Sequence, residues 1–238
     1  MREYHAMHQY DHHQRGDNPL AVVLVSGGLD SCVCLAEAQR QYTAALLHVR
    51  YGQRTEAREL QAFRAIADYY GITKRLEANI GYLKEIGGSG LVDEVLTLPK
   101  GLPPDGTVPI TYVPFRNAHL LSIAVSWAEV IGAEAVFIGA VEEDSSGYPD
   151  CREEFYQVFS AAVMAGTKPE TKIEICTPLI HLTKADIVRR GIALQAPLHL
   201  TWSCYQAGEE ACGVCESCCL RLRGFAMAEV EDPIPYRP

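Results

Sequence analysis

The stretch Leu20–Val25 (LAVVLV), followed at once by Ser26–Ser31 (SGGLDS), decides the fold of this 238-residue chain. The first six residues form a continuous apolar run, which is typical of a strand buried on both faces of a parallel sheet. The next six form a glycine-containing turn, and the pattern from Cys32 to Gln41 predicts a helix. A strand, a turn and a helix in this order are typical of a doubly wound α/β fold, whose ligands bind beyond the carboxyl ends of the strands.

Strands and helices continue to alternate along the chain. Apolar patterns predict further strands at residues 43–49, 72–76, 135–141 and 173–177, and helices at residues 54–70, 117–131, 151–165 and 184–190. Gly71 is expected to end the second helix. Glycine and proline are dense between Gly81 and Pro114, so we predict a functional loop or lid there and no contribution to the core. The fold class expected is α/β with a doubly wound, mostly parallel sheet.

Composition and charge exclude several classes of protein. The chain has 30 acidic and 21 basic side chains, which gives a formal net charge of -9. Direct binding to a nucleic-acid backbone depends on Lys and Arg displacing counterions, so a chain this acidic is not expected to bind nucleic acid directly. A secretory signal and an apolar run long enough to cross a bilayer are both absent from the sequence, which predicts a cytoplasmic protein with no membrane partner.

Three segments are predicted. Residues 1–18 contain four histidines and no Leu, Ile, Val or Phe, so we expect a disordered His-rich tail. Residues 19–200 carry the α/β pattern. Residues 201–238 contain five of the nine cysteines, and we expect them to form a small metal-bound segment packed on the same domain.

The turn after the first strand is a candidate phosphate-binding loop. Consecutive glycines let backbone amides converge on an anion, and the N-terminus of the following helix adds a partial positive charge. The Walker A and dinucleotide glycine patterns are both absent. A plain turn, capped by Ser26 or Asp30, is the alternative.

The motif resembles the pyrophosphate loop of the PP-loop ATP pyrophosphatases, written Ser-Gly-Gly-x-Asp-Ser, and all five fixed positions match. Enzymes with this loop cleave ATP between the α and β phosphates while a substrate oxygen takes AMP. The resemblance implies an adenine nucleotide alpha hydrolase-like fold and an ATP-binding segment made of Leu24, Val25, Ser26, Gly27, Gly28, Leu29, Asp30 and Ser31.

The cysteines Cys204, Cys212, Cys215 and Cys218 lie within 15 residues of sequence. Their short spacings let tight turns present pairs of sulfurs to one tetrahedral zinc ion, and four protein ligands leave no position for water. We therefore expect a structural zinc site. An iron–sulfur cluster and a redox-active Cys-x-x-Cys pair are the alternatives. Cys219 is interpreted as a spare thiol.

With the loop and the cysteines in place, the sequence is similar to the 7-cyano-7-deazaguanine synthases, the queuosine branch of the PP-loop enzymes, from Val22 to Phe225. Blocks that carry this resemblance are Pro114–Asn117, Ser146–Arg152, Thr177–Leu179, Lys184–Val188 and Thr201–Tyr205. The resemblance implies that 7-carboxy-7-deazaguanine, ammonia and ATP yield the 7-cyano base, that the four cysteines bind zinc, and that the chain forms a homodimer.

The expected chemistry needs an activated carboxylate, because a carboxylate resists attack by ammonia until AMP replaces oxide as the leaving group. A second adenylation, of the amide oxygen, would leave the nitrile. Magnesium, loop amides and cationic side chains are expected to stabilise the phosphates. We predict that Asp30 helps to hold magnesium and that Lys184 and Arg116 are the catalytic cations.

Further candidates follow the strand predicted to end at Val141, where a sheet ligand should lie. A deazaguanine presents an N–H and an amine that a carboxylate accepts, and an aromatic ring stacks on its flat face. The substrate-binding residues predicted on this basis are Glu143, Tyr148 and Asp150. Arg152 is added to them as a cation for a phosphate or for the substrate carboxylate. Asn117 has an alternative role as a helix N-cap.

Two other functions remain open from the sequence. A PP-loop tRNA sulfurtransferase would carry a persulfide on cysteine and would need a basic surface, of which the acidic charge gives no sign. A zinc-knuckle interaction module without activity would leave the glycine loop and the α/β sheet unexplained.

Overall fold

The computed structural model describes residues 18–102, 107–142, 147–206 and 208–237. Within these ranges five parallel strands form one sheet, in the order β3-β2-β1-β4-β5. The strands are β1 (Leu20–Leu24), β2 (Thr43–Arg50), β3 (Arg75–Asn79), β4 (Ala135–Phe137) and β5 (Glu174–Cys176). The strand order reverses between β1 and β4, so the predicted doubly wound α/β fold is confirmed, with its switch point beside the glycine loop.

Helices cover both faces of the sheet. They are α1 (Leu29–Ala38), α2 (Glu56–Tyr69), α3 (Tyr82–Ile86), α4 (Arg116–Ile131), α5 (Glu153–Gly166), α6 (Lys184–Ala193) and α7 (Glu216–Met227). Ala21 and Val23 of β1 pack with α1, α2, α6 and α7 on one face, while Val22 and Leu24 pack with α4 and α5 on the other. No helix in the described ranges is long and apolar enough to cross a membrane.

The third strand begins later than the sequence suggests. It was predicted at residues 72–76 but runs over Arg75–Asn79. The end of α2 explains the shift, because Gly71 has a φ of 63° and its amide donates to the Asp68 carbonyl, while the Ile72 amide donates to the Ala67 carbonyl. This Schellman motif commits Ile72 to the helix terminus. Gly71 therefore ends the helix as expected.

Other boundaries also differ from the prediction. Helix α1 runs over Leu29–Ala38 and not over residues 32–41, and α6 continues to Ala193, past the predicted end at residue 190. Strand β4 ends at Phe137 although its apolar run continues to Val141. A short 3-10 turn, Pro149–Cys151, precedes α5, so this helix begins at Glu153 and not at residue 151.

The segment between Gly81 and Pro114 contributes to the core, and the expectation that it would not was wrong. Its described residues contain α3, and Leu83, Leu91, Val92 and Val113 are buried among the residues under α4. Hydrogen bonds anchor the segment, including one from the Arg54 amide to the Leu91 carbonyl (2.9 Å). The buried apolar residues of this segment stand singly between glycines and form no periodic pattern, so their burial could not be predicted from the sequence.

Arg221, a residue of the unpredicted helix α7, joins the last residues of the fold to the segment that precedes the cysteine cluster. Its guanidinium is 2% exposed and donates to both carboxylate oxygens of Asp232 at 2.7 and 2.9 Å. It also donates to Thr201 Oγ1 (2.7 Å) and to the Leu198 carbonyl. One side chain therefore ties together α7, the residues before it and the last residues of the fold.

Replacing Arg221 with methionine should destabilise the fold strongly. The change leaves the carboxylate of Asp232 buried without its cation, which costs about 3–5 kcal/mol. Urea unfolding followed by circular dichroism measures the free energy. The matched control is Lys84→Met, because the Lys84–Glu94 pair is exposed at 54% and 76% and should contribute about 0–1 kcal/mol. Equal losses in the two variants would contradict this role of Arg221.

Candidate active site

A cavity of about 330 Å³ lies at the carboxyl ends of β1, β2 and β4. The glycine loop forms one wall, and the side chains of Tyr51, Arg116, Tyr148 and Lys184 contribute to the others. The position is the one that the α/β topology predicts for a ligand.

The glycine loop has the geometry of an anion site. Ser26 Oγ donates to Ser31 Oγ (3.1 Å), Ser31 Oγ donates to the Gly28 carbonyl (3.0 Å), and the Gly28 amide donates to Ser26 Oγ (3.2 Å). Helix α1 begins at Leu29, and the first amides of a helix have no acceptor within it. These amides therefore converge on the cavity with the positive end of the helix dipole.

Close contacts with other elements hold the loop in place. A Cβ on Gly27, whose φ is +95°, would lie 2.6 Å from the Glu59 carbonyl oxygen. A Cβ on Gly139, just past β4, would lie 2.8 Å from the Asp30 carbonyl oxygen. From the opposite side the Trp202 amide donates to the Gly27 carbonyl at 2.8 Å. Only glycine permits these approaches.

Lys184 and Asp30 meet at the end of the loop, although 154 residues separate them in sequence. Lys184 Nζ donates to both carboxylate oxygens of Asp30 at 2.8 Å, and the lysine side chain is 12% exposed. Lys184 begins α6 directly after the N-cap Thr183, whose hydroxyl accepts from the Asp186 amide. This cap fixes where the lysine enters the cavity.

Arg116 lines the same cavity from the start of α4. Its Nη1 donates to the Tyr51 hydroxyl (3.3 Å), and its guanidinium carbon lies 5.6 Å from the centre of the Tyr51 ring. Within the described ranges Arg116 has no carboxylate within 4.0 Å. An arginine that is held by an aromatic ring and lacks an acidic partner can bind an anion.

The other predicted substrate residues are not brought together. Tyr148 lines the cavity, whereas Asp150 and Arg152 are not among its lining residues. Asp150 is 2% exposed, and its Oδ2 accepts from the Asn117 amide at 2.9 Å, so it caps the N-terminus of α4. Arg152 is exposed at the N-cap of α5. Glu143 lies outside the described residues, as do residues 1–17 of the predicted tail.

Asn117 is not an N-cap, contrary to the alternative considered from the sequence. It is the second residue of α4, and its side-chain amide donates to the Asp150 carbonyl (2.8 Å) and to the Tyr156 hydroxyl (3.1 Å). The N-cap position belongs to Phe115, which has a φ of 56° and makes no side-chain cap hydrogen bond. Asn117 and Asp150 thus hold two chain segments together behind the cavity.

Sequence reasoning missed a buried chain of polar groups on the cavity wall. The Tyr148 hydroxyl donates to Thr111 Oγ1 (2.6 Å), which donates to Glu216 Oε2 (3.1 Å). Burial raises the pKa of Tyr148 to about 12, so its hydroxyl remains a donor at neutral pH. Tyr148 and Thr111 are 37 residues apart in sequence, and Thr111 and Glu216 are 105 residues apart, so no local pattern joins them.

The segment after β2 was also missed, although a signal existed. Tyr51, Gln53, Thr55 and Glu59 line the cavity and follow the carboxyl end of β2. The rule that pointed to residues beyond β1 and β4 applies equally to this strand.

The four predicted cysteines form one cluster. The sulfurs of Cys204, Cys212, Cys215 and Cys218 all lie within 4.8 Å of one another, and those of Cys212 and Cys218 are 3.9 Å apart. Tetrahedral zinc with Zn–S bonds of about 2.3 Å requires sulfurs roughly 3.8 Å apart. Cys219 stays outside the cluster and lies against the Val214 carbonyl.

Backbone amides donate hydrogen bonds to two of the four sulfurs. Amides of Gln206 and Cys212 donate to Cys204 Sγ, and the Cys215 amide donates to Cys212 Sγ. Hydrogen bonds from the Cys215 and Cys218 thiols lower the pKa of the Cys204 thiol, and the same hydrogen bonds raise the pKa of the Cys215 and Cys218 thiols. Four converging sulfurs of this kind can hold a metal ion such as zinc.

The doubly wound sheet and the glycine loop at the end of β1 are consistent with an α/β protein of the PP-loop class. A family model described as queuosine biosynthesis protein QueC matches residues 20–229. The chain belongs to this family, as the resemblance in the sequence had indicated.

Curated relatives cover nearly the whole chain. A protein of Chlorobium phaeobacteroides (strain DSM 266 / SMG 266 / 2430) named 7-cyano-7-deazaguanine synthase is 58% identical over 217 residues, which are 91% of this chain and 96% of that protein. Proteins of the same name from Chlorobaculum tepidum and Koribacter versatilis are 57% and 55% identical. They cover 91% and 94% of this chain, and each alignment spans 96% of the relative.

The cysteine cluster makes a direct prediction about bound metal. Cys212→Ser should lose most of the metal that co-purifies with the protein, because a serine hydroxyl is a much poorer zinc ligand than a thiolate. Plasma mass spectrometry of purified protein measures the metal. Cys219→Ser is the matched control and should keep the full amount, since Cys219 is similarly half-buried but lies outside the cluster. Loss of metal in both variants, or in neither, would contradict the assignment.

Proposed function

We propose that this chain converts 7-carboxy-7-deazaguanine and ammonia into 7-cyano-7-deazaguanine at the expense of ATP. The observation that carries the proposal is the glycine loop, which borders one cavity together with Lys184, Asp30 and Arg116. Membership of the QueC family and the names of the close relatives support the same conclusion.

The loop is proposed to hold the pyrophosphate that leaves when the substrate carboxylate attacks the α phosphate of ATP. Its amides and the start of α1 supply fixed donors where negative charge develops, and fixed donors stabilise a transition state without reorganisation. Lys184 adds a positive charge beside the loop. Asp30 is a suitable ligand for magnesium, which when bound would neutralise phosphate charge.

Adenylation is proposed to occur twice. The first gives an acyl adenylate, which ammonia converts to the amide with release of AMP. The second adenylates the amide oxygen, and loss of AMP then leaves the nitrile. The same loop can receive pyrophosphate each time, so one cavity serves both steps.

The base is proposed to lie against Tyr148. Its ring borders the cavity, and the chain from Tyr148 through Thr111 to Glu216 keeps it in place. Arg116 is proposed to bind the substrate carboxylate. Asp150 acts in this scheme through α4, by fixing the helix that carries Arg116, whereas direct roles for Glu143 and Arg152 remain predictions.

Zinc is the metal proposed for the cysteine cluster, with a structural role. Four thiolates satisfy its tetrahedral shell, and the cluster lies outside the reaction cavity next to buried Ala211 and Ile234. We also propose residues 19–200 as the ATP-binding unit and 201–238 as the metal-bound segment. A reducing compartment such as the cytoplasm suits free thiolates.

A homodimer is proposed through α5. This helix is apolar on several sides, yet only Tyr156 and Val163 are buried, while Val158 and Met164 are 65% and 74% exposed. Phe115, 58% exposed, extends the apolar surface through its contact with Phe155. A surface of this kind on a folded chain indicates a protein interface.

The activity is tested by incubating purified protein with ATP, ammonium and 7-carboxy-7-deazaguanine and measuring AMP and the nitrile by mass spectrometry. Lys184→Met should lower kcat about 100-fold, because it removes a charge beside the phosphates but keeps the aliphatic stem that packs on Gly224. Lys172→Met, at an exposed lysine, should retain full activity.

Absence of both AMP and the nitrile with the unaltered chain would contradict the proposed function. A sulfurated tRNA product in a parallel assay with persulfide and tRNA would favour the sulfurtransferase instead.

The proposed dimer is tested by light scattering on a size-exclusion column. The unaltered chain should have twice its 26.2 kDa mass, and Val158→Asp should yield monomers because it buries a charge at the interface. Val95→Asp, at a residue that is 89% exposed on another part of the surface, should leave the mass unchanged. A monomeric unaltered chain would contradict the proposal.

A further inference from the structure

We propose that Glu59 binds the ammonia nucleophile and accepts its proton when ammonia attacks the acyl adenylate. This inference rests on the proposed function and assigns to the same cavity the site of its smallest substrate.

The position of Glu59 is the first argument. Glu59 lines the cavity from the first turn of α2, and its backbone carbonyl lies against Gly27 of the anion loop. Lys184, Asp30 and Arg116 border the same cavity, so Glu59 lies beside the space in which the adenylate is proposed to form.

The orientation of the carboxylate is fixed by neutral groups. Thr55 Oγ1 donates to Oε1, and Gln53 Nε2 donates to Oε2 at 2.9 Å. Both donors are buried, with exposures of 4% and 5%. Gln53 is fixed in turn, because its Oε1 accepts from the Tyr51 amide (2.9 Å). A carboxylate with two acceptor sites occupied can still accept two further hydrogen bonds.

The charge of Glu59 is not compensated. In the part of the chain that the structure describes, no Lys, Arg or His nitrogen lies within 4.0 Å of its carboxylate. Glu56, one turn earlier on α2, differs in this respect, since it pairs with Arg50 Nη1 at 3.3 Å. A half-buried carboxylate beside an anion loop is unfavourable unless a ligand supplies positive charge or hydrogen-bond donors.

Ammonia supplies both. It donates hydrogen bonds to the carboxylate in the ground state, and positive charge develops on its nitrogen during attack, so the carboxylate stabilises the transition state more than the ground state. As the nitrogen bonds to the carbonyl carbon, the bond from that carbon to the AMP oxygen breaks and AMP keeps the electron pair. One proton passes from nitrogen to Glu59, which later returns it to water.

The experiment separates adenylation from the ammonia step. Glu59→Gln keeps the shape of the side chain and removes its charge. We expect the KM for ammonium to rise at least tenfold, while the KM for ATP, the magnesium dependence, and the exchange of labelled pyrophosphate into ATP without ammonium stay within twofold. Glu56→Gln is the matched control and should leave the ammonium KM unchanged.

Several results would overturn the inference. An unchanged ammonium KM in Glu59→Gln would exclude the role, and a raised magnesium requirement or lost pyrophosphate exchange would assign Glu59 to the phosphates. If Glu59→Gln does not fold, Glu59→Asp is the variant to measure. Its side chain is one methylene shorter, so the carboxylate lies farther from the ammonia and the ammonium KM should rise. An unchanged ammonium KM in Glu59→Asp would contradict the inference. Failure of the proposed function is distinguishable, because the unaltered chain would then form no nitrile at any ammonium concentration.

Discussion

The hydrogen bond from the Trp202 amide to the Gly27 carbonyl is the constraint on which the site depends. It joins the glycine loop to the segment that leads into the cysteine cluster, and it adds a third boundary to a loop already confined by α2 and Gly139. A loop confined on three sides has little freedom to rearrange. Its amides are therefore oriented before a phosphate arrives, which is the condition for strong electrostatic stabilisation.

Through this contact the cysteine cluster can influence the glycine loop as well as the structure around the cluster itself. Cys204 follows Trp202 by two residues, and Arg221 binds Thr201 while it neutralises buried Asp232. The cysteine cluster, the ion pair and the loop are thus successive parts of one connected structure. A four-thiolate shell around the proposed zinc would do no chemistry, but it would fix the residues that complete the cavity.

Charges in the cavity divide into compensated and uncompensated groups. Lys184 and Asp30 neutralise each other across the loop, and both are proposed to turn to ATP and its metal. Within the described residues no side chain of opposite charge lies within 4.0 Å of Arg116 or of Glu59, and these two residues differ in sign. An anionic carboxylate substrate needs a positive side chain, and a nucleophile that becomes cationic needs a negative one. The two charges therefore match a reaction that joins a carboxylate to ammonia.

The sequence by itself determined the fold class, the glycine loop and the cysteine ligands, because each depends on residues close together in the chain. An apolar run and a helical period are local properties, and so are a six-residue turn and four thiols within 15 residues. Gly71 likewise marked the end of α2 correctly, since its positive φ serves the turn in which it stands. The start of β3 was predicted too early, because Ile72 has strand propensity but belongs to that same turn at the end of α2.

Only the tertiary structure decided which polar residues face the cavity. Asp150 follows a strand as a ligand-binding residue should, yet its carboxylate caps α4, because an orphan helix amide lies within reach in the folded chain. Glu216 lines the cavity and accepts a hydrogen bond from Thr111, which is 105 residues away in sequence. The absence of a nearby cation at Glu59 is likewise a property of its folded surroundings. Local pattern identifies the elements and their turns, but the direction of a side chain and the charge around it depend on residues that the sequence keeps far apart.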